Sequence, residues 1–151
     1  IDTGDGSIRI LRIEGGLKAH TGDGSIDIDD AVGLVEAQSG DGSINVGGRF
    51  EMLDVKSGDG SVHVDAEAGS VVKSDWSIST GDGSIAVELP GNIDAELDAH
   101  SNDGGVRANG FSGLTSNRKD DDRGSARGTL GKGERTLRVR SGDGSIAINR
   151  R

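Results

Sequence analysis

Thr21-Gly22-Asp23-Gly24-Ser25-Ile26-Asp27-Ile28 is the stretch on which the fold turns. An Asp between two glycines is a turn signal. The chain alternates on both sides of it. Leu17, Ala19 and Thr21 are spaced by Lys18 and His20 before the turn, and Ile26 and Ile28 by Asp27 after it. Period-two alternation rich in β-branched residues marks half-buried strands. The unit therefore reads as strand, corner, strand.

The same unit recurs. Gly-Asp-Gly-Ser stands at 4–7, 22–25, 40–43, 58–61, 81–84 and 142–145, with a decayed copy at Asn102-Asp103-Gly104-Gly105. The first four copies start 18 residues apart, and the next two intervals are 23 and 21. A fixed period of this length means a small structural unit stacked on itself. Four and six residues after the first Gly stand Ile8/Ile10, Ile26/Ile28, Ile44/Val46, Val62/Val64, Ile85/Val87, Val106/Ala108 and Ile146/Ile148. One residue before it stands Thr3, Thr21, Ser39, Ser57, Thr80, Ser101 or Ser141. A second corner is expected near Val32, Phe50 and Ala68, beside Gly33, Gly47 and Gly48.

Two folds accommodate two strands per unit. Asp-Gly turns between alternating strands suit an antiparallel meander of hairpins. A constant unit length suits a parallel β-solenoid, whose equivalent residues stack about 4.8 Å apart. The constant spacing favours the solenoid, because a meander does not need equal arms. So do the outward columns, in which neighbours are rarely of like charge, as in-register stacking requires. The reading is one all-β domain over residues 1–151, a parallel β-solenoid (β-helix) of about eight coils with an 18–23 residue repeat. Its expected axial length is about 38 Å. Extra residues fall near Gly69–Asp75 and Pro90-Gly91-Asn92. The 40-residue interval before Gly142 is two coils, with Asp122-Arg123-Gly124-Ser125 as the remnant corner and Asn117–Arg123 as a solvated loop.

Composition narrows function. The net charge of −9, with two Phe, one Trp and no Tyr, argues against nucleic acid. No apolar run is long enough to span a bilayer as a helix. Cysteine is absent, so disulfides and thiolate metal sites are excluded. The chain opens at Ile1 inside a repeat and reads as a mature or excised segment. Residues 1–100 carry 6 Lys/Arg and 20 Asp/Glu, while 101–151 carry 11 and 6. Coils stacked in sequence order would make the molecule electrically polar along its axis.

The sharpest chemical candidate is the corner column Asp5, Asp23, Asp41, Asp59, Asp82, Asp103 and Asp143. Stacked carboxylates repel one another and need an offset. One offset is structural: Asp accepts hydrogen bonds in a tight turn while flanking glycines take positive φ. The other is calcium between coils, which asks for oxygen ligands from several sides. Only one corner per coil carries Asp, with one carboxylate each, so the structural offset is favoured. The Ser/Thr before each corner is expected to bond the turn backbone, since a buried hydroxyl needs a partner. No His is aligned with these Ser to serve as a base, and a catalytic Ser would not recur in every unit. His20 and His100 share an outward column about 19 Å apart, too far to share a metal, and His63 faces outward elsewhere. Trp76 reads as core filler. The Gly-rich corners lack the helix a phosphate loop needs behind it.

The Ser/Thr-Gly-Asp-Gly-Ser-Ile-x-Val units resemble a widespread bacterial family of uncharacterised β-strand-repeat proteins, often labelled adhesins. The closing Arg127-Gly128-Thr129-Leu130-Gly131-Lys132-Gly133 and Leu137-Arg138-Val139-Arg140-Ser141-Gly142-Asp143-Gly144-Ser145-Ile146 are similar to that family's usual ending. The resemblance covers essentially the whole chain. It implies a parallel β-solenoid and an extracellular or cell-envelope location, and it carries over no catalytic residues.

Three classes of function follow. The first is a non-enzymatic structural or adhesin-like surface protein without cofactors, with surface glycans or other envelope proteins as partners. The second is a calcium-dependent binding module using the Asp column. The third is a polysaccharide-acting β-helix enzyme, which would need a carboxylate cluster on one outward face that the mixed columns do not offer. Within the first class, the chain itself is an expected partner. Terminal solenoid coils expose core and strand edges. Ile1, Thr3, Ile8 and Ile10 at one end and Ile146, Ile148, Arg150 and Arg151 at the other would join head to tail into a fibre.

Overall fold

The computed structural model describes residues 1–111, 115–116 and 124–151. The expected loop Asn117–Arg123 and the first half of the remnant corner lie outside the described residues. The strands are β1 (Asp2–Thr3), β2 (Ile8–Thr21), β3 (Ile26–Ser39), β4 (Ile44–Ser57), β5 (Val62–Ala66), β6 (Trp76–Thr80) and β7 (Ile85–Leu89). They continue with β8 (Ala95–Ser101), β9 (Val106–Asn109), β10 (Thr115–Ser116), β11 (Ser125–Leu130), β12 (Thr136–Ser141) and β13 (Ile146–Arg150). No helix occurs among the described residues, so none there could cross a membrane.

Pairing is parallel and in register. Ile8 pairs with Ile26 and Ile26 with Ile44, while Leu17, Val35 and Leu53 form a second column. The meander is thereby ruled out. Among the described residues only β11 with β8 and β10 with β11 run antiparallel. The inward columns of Ile, Val and Leu are buried, as their alternation predicts. The second corner falls where expected at Gly33 (φ 118°) and Gly48 (φ 147°), with Gly15 in the first coil, and in β2 and β3 a further left-handed bend precedes it at Arg12 (φ 59°) and Asp30 (φ 56°). Arg12 Nε donates to Asp30 Oδ2 at 3.0 Å, so the two left-handed residues of successive coils hold each other. Phe50 and Trp76 fill the widest part of the core, edge to face with centroids 6.0 Å apart.

The stacking order departs from the sequence order. β4 carries β5 on one half and β6 on the other. β7 follows β5. The next layer is not β8 and β9 but the end of the chain: β12 pairs with β6 and β13 with β7. Only beyond that layer come β8 and β9. The residues 136–150 are thus wedged between two coils that are consecutive in sequence. Side-chain size accounts for the choice. The late coil brings Leu137, Val139, Ile146 and Ile148 inward, all at most 1% exposed. The displaced coil ends in Val106 and Ala108, which are only half-buried. Putting the coil with more apolar surface inside and the poorer one outside buries more area.

Two expectations are corrected by this order. The C-terminal coil is not an end of the stack, so Ile146 and Ile148 offer no free edge. Arg151 is exposed on the side of the stack, its N–H donating to the Leu89 carbonyl at 2.8 Å and its Nε 3.2 Å from Asp65 Oδ1. The Arg150 side chain lies against Gly91 and Gly110. The second concerns the basic charge: Arg138, Arg140, Arg150 and Arg151 lie one layer in from the far end rather than at its tip, while the acidic residues 1–89 still fill the opposite part of the stack. The far end is finished by β11, whose Ala126 and Leu130 are buried against β8. The first coil remains the open end. β1 covers only the His20–Thr21 part of β2, and Ile8–Gly16 pairs on one side, with β3.

Candidate functional site: the stacked corners and the open edge

Each corner is held by the hydroxyl that precedes it. Ser39 Oγ donates to the Gly24 carbonyl of the coil before (2.9 Å) and accepts from the Gly42 N–H of its own turn (3.0 Å). Ser57 repeats this with Gly42 and Gly60 at 3.0 and 3.1 Å. Thr21 and Thr80 donate likewise, to Gly6 and Gly60. The pattern also confirms the stacking order: Ser141 donates to Gly83, and Ser101 to Gly144. These hydroxyls are buried, and those of Thr21, Ser39, Ser57, Ser101 and Ser141 both donate and accept. They bond the turn backbone as the sequence predicts.

The corner glycines serve a different purpose from the expected one. None of Gly22, Gly24, Gly40 or Gly42 has positive φ. A Cβ on Gly42 would instead collide with the Gly24 carbonyl, and one on Gly24 with that of Gly6. Close approach of backbone to backbone is the second physical reason for glycine. Gly40 N–H donates to the Gly22 carbonyl at 2.7 Å, which shows how tightly the corners are pressed.

Asp5, Asp23, Asp41, Asp59, Asp82, Asp143 and Asp103 all lie exposed on one ridge, in that spatial order. Asp143, between Asp82 and Asp103, has its carboxyl pushed above the ordinary range by a hydrogen bond with Asp103 and by the charges of Asp82 and Asp103. Neighbouring carboxylates thus act on one another, but one per layer does not make a cage. Among the described residues no three His, Asp or Glu side chains gather in a metal-binding cluster. His20 and His63 are exposed and His100 is half-buried. Gln38, Lys56, Ser79 and Arg140 separate His20 from His100 in their column. Trp76 is fully buried, its Nε1 donating to the Glu51 carbonyl at 3.4 Å.

The charged contacts that matter were not evident from the repeat. Asp98 receives Arg140 Nη2 at 2.8 Å and Arg127 Nε at 3.1 Å. The hydrogen bond from Arg140 leads in holding its carboxyl below the usual range. Asp54 is pushed the other way, by burial first and by Glu36 second. Asp94 Oδ1 accepts from the Lys132 N–H and Asp75 Oδ1 from the Thr136 N–H, tying down the lead into the wedged coil. A shallow groove of about 440 Å³ crosses the outward face, lined by Ser61, His63, Ser84, Ala86, Ser145 and Ala147 among others.

The open edge of β2 carries Leu11, at 67% the most exposed large apolar side chain among the described residues. Ile10 is half-buried and Ile8 buried at the same edge. Ile1, 65% exposed, and Thr3 lie instead on the other arm of β2, against Lys18–Thr21. Of the residues expected to join copies, Ile8 and Ile10 stand at the open edge, Ile1 and Thr3 beside the covered arm of the same coil, and Ile146, Ile148, Arg150 and Arg151 stand elsewhere.

An all-β stack with mostly parallel strands, turned by glycine corners, defines a β-solenoid-like repeat protein. The chain belongs to the Toastrack DUF4097 family, whose model matches residues 1–149. No curated protein and no solved structure matches it.

Proposed function

We propose that the protein is a non-enzymatic structural scaffold, adhesin-like and exposed outside the cell or in its envelope, built as a solenoid of about eight coils. What carries this reading is the use of the repeated polar groups. The Ser and Thr hydroxyls that recur in every coil are consumed in holding one corner to the next, so the repeat serves stiffness rather than chemistry. A stiff stack works through its surface and ends. The open edge Ile8–Gly16, with Leu11 exposed on it, is the part suited to contact with another β-edge, whether a second copy or another envelope protein. Cofactors have no part in this reading.

The test is hydrodynamic. Sedimentation at rising concentration should show association of the native chain, and Leu11→Lys with Ile10→Lys should abolish it by placing charge on the edge. Association unchanged in the double variant would sink the edge as the contact. Calcium is probed in the same samples: thermal midpoints should be equal with calcium and with chelator, and a large drop with chelator would favour the Asp ridge as a binding site instead.

A further inference from the structure

The wedged coil is a ligand that happens to be covalently attached. β12 and β13 form an arch, Thr136–Arg150, that is hydrogen-bonded on both faces: to β6 and β7 on one side and to β8 and β9 on the other. The two walls of its slot are joined to each other directly in sequence, by Pro90–Asp94 between β7 and β8. The slot is therefore complete without the arch's own covalent connection. That connection, Gly131–Arg135, is a mostly exposed surface segment.

The slot also has its own means of recognition. Any coil of this chain could offer the ladder, the glycine corner and the hydroxyl. Among the described residues only this arch sets Arg140 against Asp98 (2.8 Å) and offers Asn149 Oδ1 to the Asn109 side-chain amide (3.1 Å). Register and identity are thus read by charged and amide pairs on the outward faces, while the buried Leu137, Val139, Ile146 and Ile148 provide the apolar contact.

We propose that the slot between Trp76–Leu89 and Ala95–Asn109 is an acceptor site for the Thr136–Arg150 arch, and that it is filled by the arch of a second copy when chains fold together. Exchange of an identical element between protomers creates no new interface and needs only that the linker reach. Chain order favours it. The acceptor wall at Trp76–Leu89 is synthesised before the arch, so it waits with an open edge until an arch arrives, its own or a neighbour's. The inference does not depend on the proposed function.

The test uses full-length chains with single cysteines, which is clean because the natural chain has none. Ala86 and Ala147 are register partners on the outward face of the slot. A chain carrying both Ala86→Cys and Ala147→Cys should close internally with a short bis-maleimide, since the two sites are about 4.8 Å apart. Chains carrying Ala86→Cys alone and Ala147→Cys alone are then unfolded, mixed and refolded together. A short linker gives a tethered arch an effective concentration of about 1 mM, so at about 0.1 mM chain about a tenth of the arches should be caught in trans and appear as cross-linked dimers. Asp27→Cys lies on the same column about 19 Å from residue 147 and is the control for chance contact. Dimers from the Ala86/Ala147 mixture no more abundant than from the Asp27/Ala147 mixture overturn the exchange. Failure of the double variant to close internally overturns the slot itself.

Discussion

Replacing Gly42 by Ala separates two explanations of why glycine stands at the corners. Gly42 is buried under the Gly24 corner, and an added Cβ would overlap the Gly24 carbonyl group and come within 2.8 Å of the Ser25 nitrogen. Real Cβ atoms do not approach closer than 3.0 Å, so the coils must part locally. The bonds that cross this seam are Gly40 N–H to Gly22 (2.7 Å), Ser39 Oγ to Gly24 (2.9 Å) and Ile26 N–H to Ser43 (2.9 Å). Weakening three bonds at about 1 kcal/mol each costs about 3 kcal/mol. For a chain of this size that lowers the thermal midpoint by about 6–12 °C. Gly15 provides the contrast: its φ is 107° but a Cβ there meets open space. Gly15→Ala should cost only backbone strain, about 1 kcal/mol. Gly16, with neither positive φ nor a neighbour, should tolerate Ala within about 0.5 kcal/mol. Thermal unfolding followed by circular dichroism measures all three. If Gly42→Ala is no worse than Gly15→Ala, close approach is not what selects glycine at the corners.

Three further outcomes are expected. Ser39→Ala leaves the Gly24 carbonyl and the Gly42 N–H without their hydroxyl partner and should cost about 1–3 kcal/mol in chemical denaturation, whereas Ser39→Thr should be tolerated, as Thr21 and Thr80 are. Asp98 is held below the ordinary carboxylate range by Arg140, so its stabilisation is present in full above about pH 4 and is lost as pH falls through its lower folded value. Asp98→Asn should therefore be less stable than the natural chain at neutral pH, and their midpoints should converge in strong acid. Asp143 has the opposite sign: its carboxyl is raised by Asp103 and Asp82, so its contribution becomes unfavourable as pH rises past it. Asp143→Asn should be at least as stable as the natural chain at neutral pH, with the advantage shrinking on acidification.

What the sequence shows and what it hides follow from the same regularity. Ile8, Ile26 and Ile44 declare their inward faces through period-two alternation, which is a local property, and their parallel register follows from the constant 18-residue spacing. The partners of Ser39 and Ser57 were legible because a buried hydroxyl beside a turn has few places to bond. The reason for the glycines was only half legible, since positive φ and close approach leave the same letter. The second corner was legible at Gly33 and Gly48, but the bend before it was not, because Arg12 carries no signal for a left-handed backbone even though Asp30 is of a type enriched there. The Asp98 contacts with Arg140 and Arg127 come from three strands that are neighbours only in the actual stacking order.

That order is the deepest thing hidden, and the repeat itself conceals it. When every corner reads Gly-Asp-Gly-Ser, any coil's edge is compatible with any other's, and no local pattern distinguishes the sequential stack from the interleaved one. The choice is made by differences between coils: Leu137, Val139, Ile146 and Ile148 against the smaller Val106 and Ala108, and the single pairing of Arg140 with Asp98. The consequence runs through folding to function. Coils up to Leu89 need only contacts with the coil before. Ala95–Asn109 cannot reach its neighbour until the last residues of the chain are in place, so its contacts with residues 136–149 span about 40 positions and carry a larger loop-closure cost. The sole Trp, Trp76, is buried on the slot wall in register with Leu137 and so sits where arrival of the arch is felt. A protein assembled this way has its C-terminal segment as a clasp on its later half and its open edge at Ile8–Gly16. Changes in the last fifteen residues are therefore expected to act through the integrity of Ala95–Asn109 and β11, which stack beyond them.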